Sequence, residues 1–163
     1  RPFDQRWTYY TGKRGFFAYS QKKVMRHLTS CPNIALIIGR QGQVVGTDVW
    51  NVAFVTKHIC DQNIFYRGGG TVFPALLCVD GTIQSNFSEE ELNKITFFEA
   101  GHVIESMEEK RERIFDVIYY IYAILYSVRY RKVFASIANF FAKTSLFFAI
   151  FSQIIRFENF YRI

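Results

Sequence analysis

The periodicity of the apolar residues changes near Asp80-Gly81, and this change constrains the fold more than any other feature of the sequence. Before this dipeptide the apolar residues form short continuous runs, and residues 34–38 are typical of a buried strand. After it, apolar residues recur at helical spacing and predict a long amphipathic helix. The residues with this spacing are Ile114, Val117, Ile118, Ile121, Leu125 and Val128. We therefore predict an α+β chain: a small mixed sheet domain with flanking helices, followed by a helical C-terminal portion.

Chain breakers delimit the elements of the first half. Residues 19–28 have helical spacing, and Cys31-Pro32-Asn33 ends that helix. Residues 49–56 and 71–79 are the further strand-like segments. Between them, residues 67–70 contain three consecutive glycines and predict a tight, mobile turn, with a phosphate-binding turn as the weaker alternative.

Two serines mark helix starts in the second half. Ser88 and Ser106 each stand three residues before a glutamate, the pattern of a capping box. The acidic residues around them are interpreted as solvated charges near helix N-termini rather than as a catalytic carboxylate pair. We predict three regions: an α+β region over residues 1–85, a helical region over 86–136, and an apolar tail over 137–163.

The positive charge is confined to the first half of the chain. The net charge is +6, and residues 1–80 hold ten Lys and Arg against four Asp, which gives the whole excess of six. A basic half that is also rich in Tyr, Phe, Asn and Gln favours a nucleic-acid surface. A solvated basic face without a ligand is the alternative that charge alone leaves open.

The tail is strongly apolar but too short to predict a membrane span. Residues 146–155 lie between Lys143 and Arg156, whereas a transmembrane helix needs about 20 apolar residues. We predict a buried helix there and no membrane association.

The sequence contains no recognisable catalytic motif. It lacks a phosphate-binding Gly-x-x-x-x-Gly-Lys-Ser/Thr loop and a Gly-x-Ser-x-Gly elbow. It also lacks the glycine-rich cofactor loop and the Asn/Asp-Pro-Pro-aromatic tetrapeptide of an amino-methylating DNA methyltransferase. No catalytic residue is assigned.

Cysteines and histidines provide little evidence for a metal site or for disulfides. His58, Cys60 and Asp61 lie close together, but no second ligand pair at zinc-site spacing accompanies them, so a half-buried strand edge is the better interpretation. His27 and His102 stand alone and are interpreted as structural. The three cysteines are widely spaced and odd in number, which predicts a reducing compartment and no disulfide framework.

The remaining chemistry is that of DNA recognition. Arginine can bind guanine with two hydrogen bonds, and asparagine or glutamine can do the same for adenine. Arg40, Gln41 and Gln43 flank Gly42, which permits close backbone approach, and we predict these three near base edges. Other cations are predicted to contact phosphates, which position a protein without specifying a sequence. They are Arg6, Lys13, Arg14, Lys22, Lys23 and Arg26.

Several strings resemble one known family. Arg1-Pro2-Phe3-Asp4-Gln5-Arg6-Trp7-Thr8-Tyr9 resembles the Arg-Pro-Phe-Asp-x-Arg-aromatic-x-Tyr signature in the C-terminal part of type ISP and related restriction–modification enzymes. The similarity continues in order through most of the chain. Further strings are Val24-Met25-Arg26-His27, Asn33-Ile34-Ala35-Leu36, Arg40-Gln41, Phe54-Val55-Thr56, Val72-Phe73-Pro74, Ile114-Phe115, residues 119–127 and Tyr130-Arg131.

The resemblance implies a function that the composition does not. It implies a target-recognition domain that chooses the double-stranded DNA site for an adenine-N6 methyltransferase. The parent enzyme would use S-adenosylmethionine, bound upstream of Arg1, and could also contain nuclease and helicase parts. Asp4, Arg6 and Arg40-Gln41 match motif positions, and the resemblance leaves open whether they contact bases or hold the fold. For Asp4, which lies beside two arginines, a buried ion pair is the alternative.

The sequence departs from the family pattern in two places. Val128 stands where a proline usually follows Ser127, so we expect the long helix to continue there. The proline-containing segment expected after Tyr130-Arg131 is replaced by the Phe-rich residues 137–163, which we interpret as a divergent or frameshifted tail.

We conclude from the sequence that the chain recognises a double-stranded DNA sequence for a cytoplasmic bacterial restriction–modification enzyme. Its partners would be DNA and the methyltransferase and helicase portions of the parent protein. Two alternatives stay open: a non-catalytic interaction or scaffold piece that docks on the rest of the enzyme, and a non-functional gene remnant.

Overall fold

The computed structural model describes residues 4–11, 13, 21–39, 52–61, 64–65, 69–88, 92, 106–132 and 161–162. A four-stranded antiparallel sheet has the order β2-β1-β3-β6, and β4 and β5 form a separate two-stranded sheet. The elements are α1 Lys22–Thr29, β1 Ala35–Ile38, β2 Ala53–Thr56, β3 Thr71–Pro74, β4 Leu76–Val79, β5 Thr82–Ser85, α2 Met107–Tyr126 and β6 Tyr161–Arg162. The predicted α+β class is confirmed.

Strand β1 forms the centre of the core. All four of its residues are buried, as the continuous apolar run predicted. Ala35 pairs with Thr56 of β2 on one side and with Pro74 of β3 on the other. Helix α2 packs against β1 and β2, whereas α1 packs against β3 and β4. Because both flanking strands and the helices cover β1, apolar side chains fit at every position of this strand.

The prediction of one strand over residues 71–79 is wrong. Pro74 ends β3, and Ala75 separates it from β4, which belongs to the other sheet. The Ala75 backbone N donates to Ile34 O at 2.8 Å, and its carbonyl accepts from Asn86 N at 3.0 Å. The backbone of Ala75 therefore bonds to two other segments at the point where the chain passes from one sheet to the other.

Asp80-Gly81 is a two-residue hairpin turn between β4 and β5. Both residues have positive φ, 49° for Asp80 and 79° for Gly81. This is the requirement of a type I′ turn, which an Asp-Gly pair meets at low cost. The dipeptide at which the apolar periodicity changes thus closes a hairpin before the helical half begins.

Helix α2 begins where the capping pattern placed it. The Ser106 hydroxyl accepts a hydrogen bond from Glu109 N at 3.1 Å, so the predicted N-terminus is confirmed. The helix buries one apolar face against the sheet, through Ile114, Val117, Ile118, Ile121 and Leu125.

The expected continuation of α2 through Val128 is wrong. Ser127 has ψ 138°, which interrupts the helix, and Val128 is 69% exposed. The Ser127 hydroxyl accepts from Tyr130 N at 3.2 Å and so caps a second helical segment, residues 128–132. Val128 is the first residue of that segment, a position that accommodates proline well.

Gly70 is buried rather than part of an open turn. A Cβ at this position would lie 2.6 Å from Phe65 Cε2 and 2.8 Å from Ile37 Cγ2. The close approach of the backbone to β1 therefore requires glycine here. Arg67 and Gly68, which belong to the same predicted mobile turn, lie outside the described residues.

The prediction of no disulfide is wrong for one pair of cysteines. Cys31 and Cys78 form a disulfide although 47 residues separate them in sequence. Cys31 follows α1 and Cys78 lies in β4, and the packing of α1 on β4 brings the two Cα atoms to 6.2 Å. Cys60 is free.

Most of the predicted tail, residues 137–163, lies outside the described residues. The exception is β6, whose Tyr161 and Arg162 pair with Val72 and Thr71 at the edge of the main sheet. Within the part of the chain that the structure describes, no helix is long and apolar enough to cross a membrane.

Candidate nucleic-acid interface

Helix α1 presents cations on a firmly packed element. Its apolar face, with Val24, Met25 and Leu28, is buried, as its helical spacing predicted. Lys22 and Lys23 are exposed and Arg26 is half-buried. No acidic residue occupies the first turn. The two lysines can therefore reach an anionic ligand without a competing carboxylate on their own helix.

Asn33 fixes the C-terminal end of α1 to β4. Its side-chain amide donates to His27 O and to Leu76 O, both at 2.8 Å. Its side-chain oxygen accepts from Ile34 N at 2.9 Å and from Leu76 N at 3.1 Å. The side chain thus satisfies buried backbone groups of three segments, a structural role within one of the strings that carry the family resemblance.

His27 forms the second polar link between α1 and β4. The side chain is 1% exposed, and its Nδ1 accepts a hydrogen bond from Cys78 N at 3.0 Å. Burial and the nearby Arg26 charge lower the pKa of His27, an effect that the Cys78 carbonyl oxygen, 3.2 Å from Nδ1, partly offsets because it favours the protonated ring. His27 is therefore neutral at pH 7, and its predicted structural role is confirmed. His102 lies outside the described residues.

Residues 4–11 present aromatic and charged side chains to solvent. Trp7 and Tyr9 are almost fully exposed. Arg6 and Asp4 form the ion pair that the sequence left as one alternative, with Nη2 2.9 Å from Oδ2. The pair is exposed rather than buried, and the hydrogen bond from Arg6 lowers the pKa of the Asp4 carboxyl. Arg6 keeps further N–H groups for a phosphate because the guanidinium has five donors.

A second polar surface surrounds the turn that follows β2. Gln5, Thr56, Lys57, His58 and Tyr119 line a concavity of about 290 Å³, together with Ile34 and Val55. We call this surface the β2-turn concavity. The sequence did not predict this surface, because its members come from four segments that are distant in sequence.

Helix α2 is aligned on β2 by Tyr126. Its hydroxyl donates to Ala53 O at 2.8 Å, and the Arg131 guanidinium lies 4.1 Å from the centre of its ring. Burial, as the main cause, raises the pKa of Tyr126 to about 12, so the hydroxyl stays protonated and remains a donor.

Some of the predicted site residues lie outside the described residues. These are Arg40, Gln41 and Gln43, the predicted base contacts, and Arg14, a predicted phosphate contact. Lys13 is described and exposed, and its backbone N donates to Thr11 Oγ1 at 3.2 Å. The roles of all these residues stay predictions.

The His58-Ile59-Cys60-Asp61 segment shows no metal-binding arrangement. Among the described residues, no group of three or more His, Cys, Asp and Glu side chains is placed to hold a metal ion. Burial and the neighbouring Asp61 charge raise the pKa of the Cys60 thiol to about 12. Cys60 is therefore protonated at neutral pH and a weak nucleophile.

The chain is thus an α+β domain whose helix α1 and residues 4–11 present cations to solvent. The family model of the type ISP C-terminal specificity domain matches residues 1–137, so the chain belongs to that family. Its function is sequence-specific DNA recognition within a restriction–modification enzyme, in association with the rest of that enzyme. Neither a curated protein sequence nor a solved structure matches the chain. The matched region ends at residue 137, where the predicted divergent tail begins.

Proposed function

We propose that this domain selects the double-stranded DNA site at which an adenine-specific methyltransferase of a restriction–modification enzyme acts. The family match over residues 1–137 is the observation that carries the proposal. The basic excess of the first half supports it, since binding to phosphates supplies most of the sequence-independent affinity for DNA.

The proposed base contacts Arg40, Gln41 and Gln43 belong to the connection between β1 and β2. Gly39 N donates to Val52 O at 2.7 Å, which holds the two ends of this connection together beyond the paired strands. The connection starts at the central strand of the core, so the point from which it extends is fixed relative to the domain. Base reading needs this fixed starting point, because hydrogen bonds to base edges form only when the protein lies in one register on the duplex.

The proposed phosphate contacts are divided between α1 and the segments before it. Lys22, Lys23 and Arg26 lie on α1, whereas Arg6, Lys13 and Arg14 precede it. Their part is to orient the domain on the duplex, so that residues 40–43 meet the groove in one register.

S-adenosylmethionine does not fit this chain. The glycine-rich loop that would hold it and the catalytic tetrapeptide are both absent from the sequence. We therefore place cofactor and methyl transfer in another part of the enzyme, and the methyltransferase and helicase portions are the proposed partners. A target adenine inside a duplex must be flipped out before its amino group can react, so that part must also distort the DNA.

Selection from a randomised duplex library tests the proposed recognition. We expect the chain to enrich one motif, and Arg40→Ala with Gln41→Ala to abolish the enrichment while weak binding to any duplex persists. Lys132→Gln, an exposed cation outside the proposed contacts, is the matched control. Equal retention of all sequences by the unsubstituted chain would overturn the proposal.

The methylation component needs a separate measurement on the whole enzyme. Transfer of a labelled methyl group to adenine N6 should occur at the selected motif and disappear when the motif is mutated. Labelling of cytosine, or labelling that ignores the motif, would contradict the adenine assignment without affecting DNA recognition by this domain.

A further inference from the structure

We infer that the β2-turn concavity is a second binding site for DNA backbone phosphate, with Lys57 as its cationic centre and Gln5, His58 and Tyr119 as further polar contacts. The inference rests on DNA recognition by this family and adds a contact surface separate from α1. Four observations support it: the fixed turn, the alignment of α2, the donor groups of the lining, and the flanking segment.

The turn that presents Lys57 is held by its own hydrogen bonds. Thr56 Oγ1 donates to His58 O at 3.0 Å and accepts from His58 N at 3.1 Å. Thr56 is also paired with Ala35 of the central strand. Lys57 and His58 are both exposed at this turn. The cation is therefore presented from a position fixed to the core of the sheet.

The alignment of α2 brings Tyr119 to the same place. Tyr126 is bonded to Ala53 at the start of β2, and Tyr119 lies seven residues, close to two turns, earlier on the helix. Seven residues of helix span about 10 Å, and the three steps from Ala53 to Thr56 span about the same length of strand. A helix antiparallel to β2 therefore places Tyr119 beside the turn, where it lines the concavity with half of its surface exposed.

The lining is suited to an anion. Among the described residues of the lining, the polar groups are an ammonium, an imidazole, a phenol, a carboxamide and a hydroxyl, and none is an Asp or Glu. Asp4, next to Gln5, is hydrogen-bonded to Arg6. Lys57 is thus the cation of the lining, and a phosphate oxygen can accept from its ammonium, from the Gln5 carboxamide and from the Tyr119 hydroxyl.

The flanking residues favour the backbone of a duplex over a small free anion. Gln5 belongs to the exposed segment that also presents Arg6 and Trp7. A small anion needs only the concavity, whereas a duplex extends beyond it and can contact Arg6 and Trp7 as well. Phosphate chemistry is common to both ligands, and the effect of Lys57→Gln on the binding of each one distinguishes them.

The test compares Lys57→Gln with Lys132→Gln in the full chain, by titrating a fixed duplex at several salt concentrations. We expect Lys57→Gln to lower the slope of log affinity against log salt by about one, equally for target and non-target duplexes. Tyr119→Phe should weaken binding less and leave the slope unchanged, because it removes a neutral donor. Both variants should keep the thermal midpoint of the unsubstituted chain, since both side chains are exposed.

The outcomes separate this inference from the proposed function. If Lys57→Gln and Lys132→Gln behave alike, or if no duplex is retained at low salt, the concavity is not a DNA site. If Lys57→Gln leaves the salt dependence of duplex binding unchanged but abolishes binding of inorganic phosphate to the chain, the site binds a free anion instead. If the library selects no motif but Lys57→Gln still lowers the slope, the inference holds and sequence recognition fails.

Discussion

Polar residues of types that can contact DNA have different roles in two neighbouring regions of the molecule. At the junction of α1 with β4, Asn33 and His27 are buried and bonded to backbone groups. On the opposite face of α1, Lys22 and Lys23 are exposed. Asparagine can read adenine and histidine can contact phosphate, yet here both hold the fold. Burial, and not residue type, therefore separates the residues that build the domain from those available to DNA.

The disulfide of the junction should have the largest effect on stability. Reduction, or Cys31→Ser, frees a segment of 47 residues in the unfolded chain. We expect the free energy of unfolding to fall by about 4 kcal/mol for a loop of this length. Urea denaturation with and without reductant measures the loss, and Cys60→Ser is the control because Cys60 is free. Alkylation of all three cysteines in the native, unreduced protein would show that the disulfide is absent.

Replacement of Asn33 should have the next largest effect. Asn33→Leu removes four hydrogen bonds and leaves buried backbone groups of His27, Ile34 and Leu76 without their side-chain partner. We expect a loss of about 3 kcal/mol in urea denaturation, with DNA affinity unchanged while the protein is folded. Gln84→Leu, on an exposed position of β5, should change stability by less than about 0.5 kcal/mol. Equal effects of the two variants would show that Asn33 is not a link of the junction.

His27 should make stability depend on pH. Because its folded-state pKa lies below the ordinary value of 6.5, folding favours the neutral ring. The contribution is present above about pH 6.5 and is lost as the pH falls through the folded-state pKa. We therefore expect the free energy of unfolding to decrease on acidification below pH 6.5, and His27→Gln to reduce that dependence. His58→Gln is the control, since His58 is exposed. A dependence that persists in His27→Gln would assign it to other groups.

The sequence predicts most of the local structure of these two regions, but few of the contacts between residues that are distant in sequence. Strand β1, the apolar face of α1 and the start of α2 follow from periodicity and capping, which act over a few residues. The break at Pro74 and the Asp80-Gly81 hairpin also have local signals, because proline disrupts a strand and Asp-Gly favours a type I′ turn. The Cys31–Cys78 pairing depends on the packing of α1 on β4, which no local pattern encodes.

The same distinction applies to the candidate site. The exposure of Lys22 and Lys23 could be predicted because it is the reverse side of an apolar helical face. The β2-turn concavity could not, because Gln5, Lys57 and Tyr119 meet only after α2 has docked on β2. A Thr before a basic pair is a weak signal of a bonded turn. It gives no indication of which helix or segment will lie beside that turn.

The exposed lysines of α1 should have the smallest effect on stability and a clear effect on binding. We expect Lys22→Gln with Lys23→Gln to change the free energy of unfolding by less than about 0.5 kcal/mol. The same change should lower the slope of log DNA affinity against log salt by about two, one for each lost phosphate contact. Combination with Lys57→Gln should add a further unit, because the two surfaces lie on different elements and each lost phosphate contact lowers the slope separately. If Lys22→Gln with Lys23→Gln leaves the slope unchanged, α1 is not part of the DNA interface. The contrast between a buried structural face and an exposed DNA-binding face of α1 then has no support.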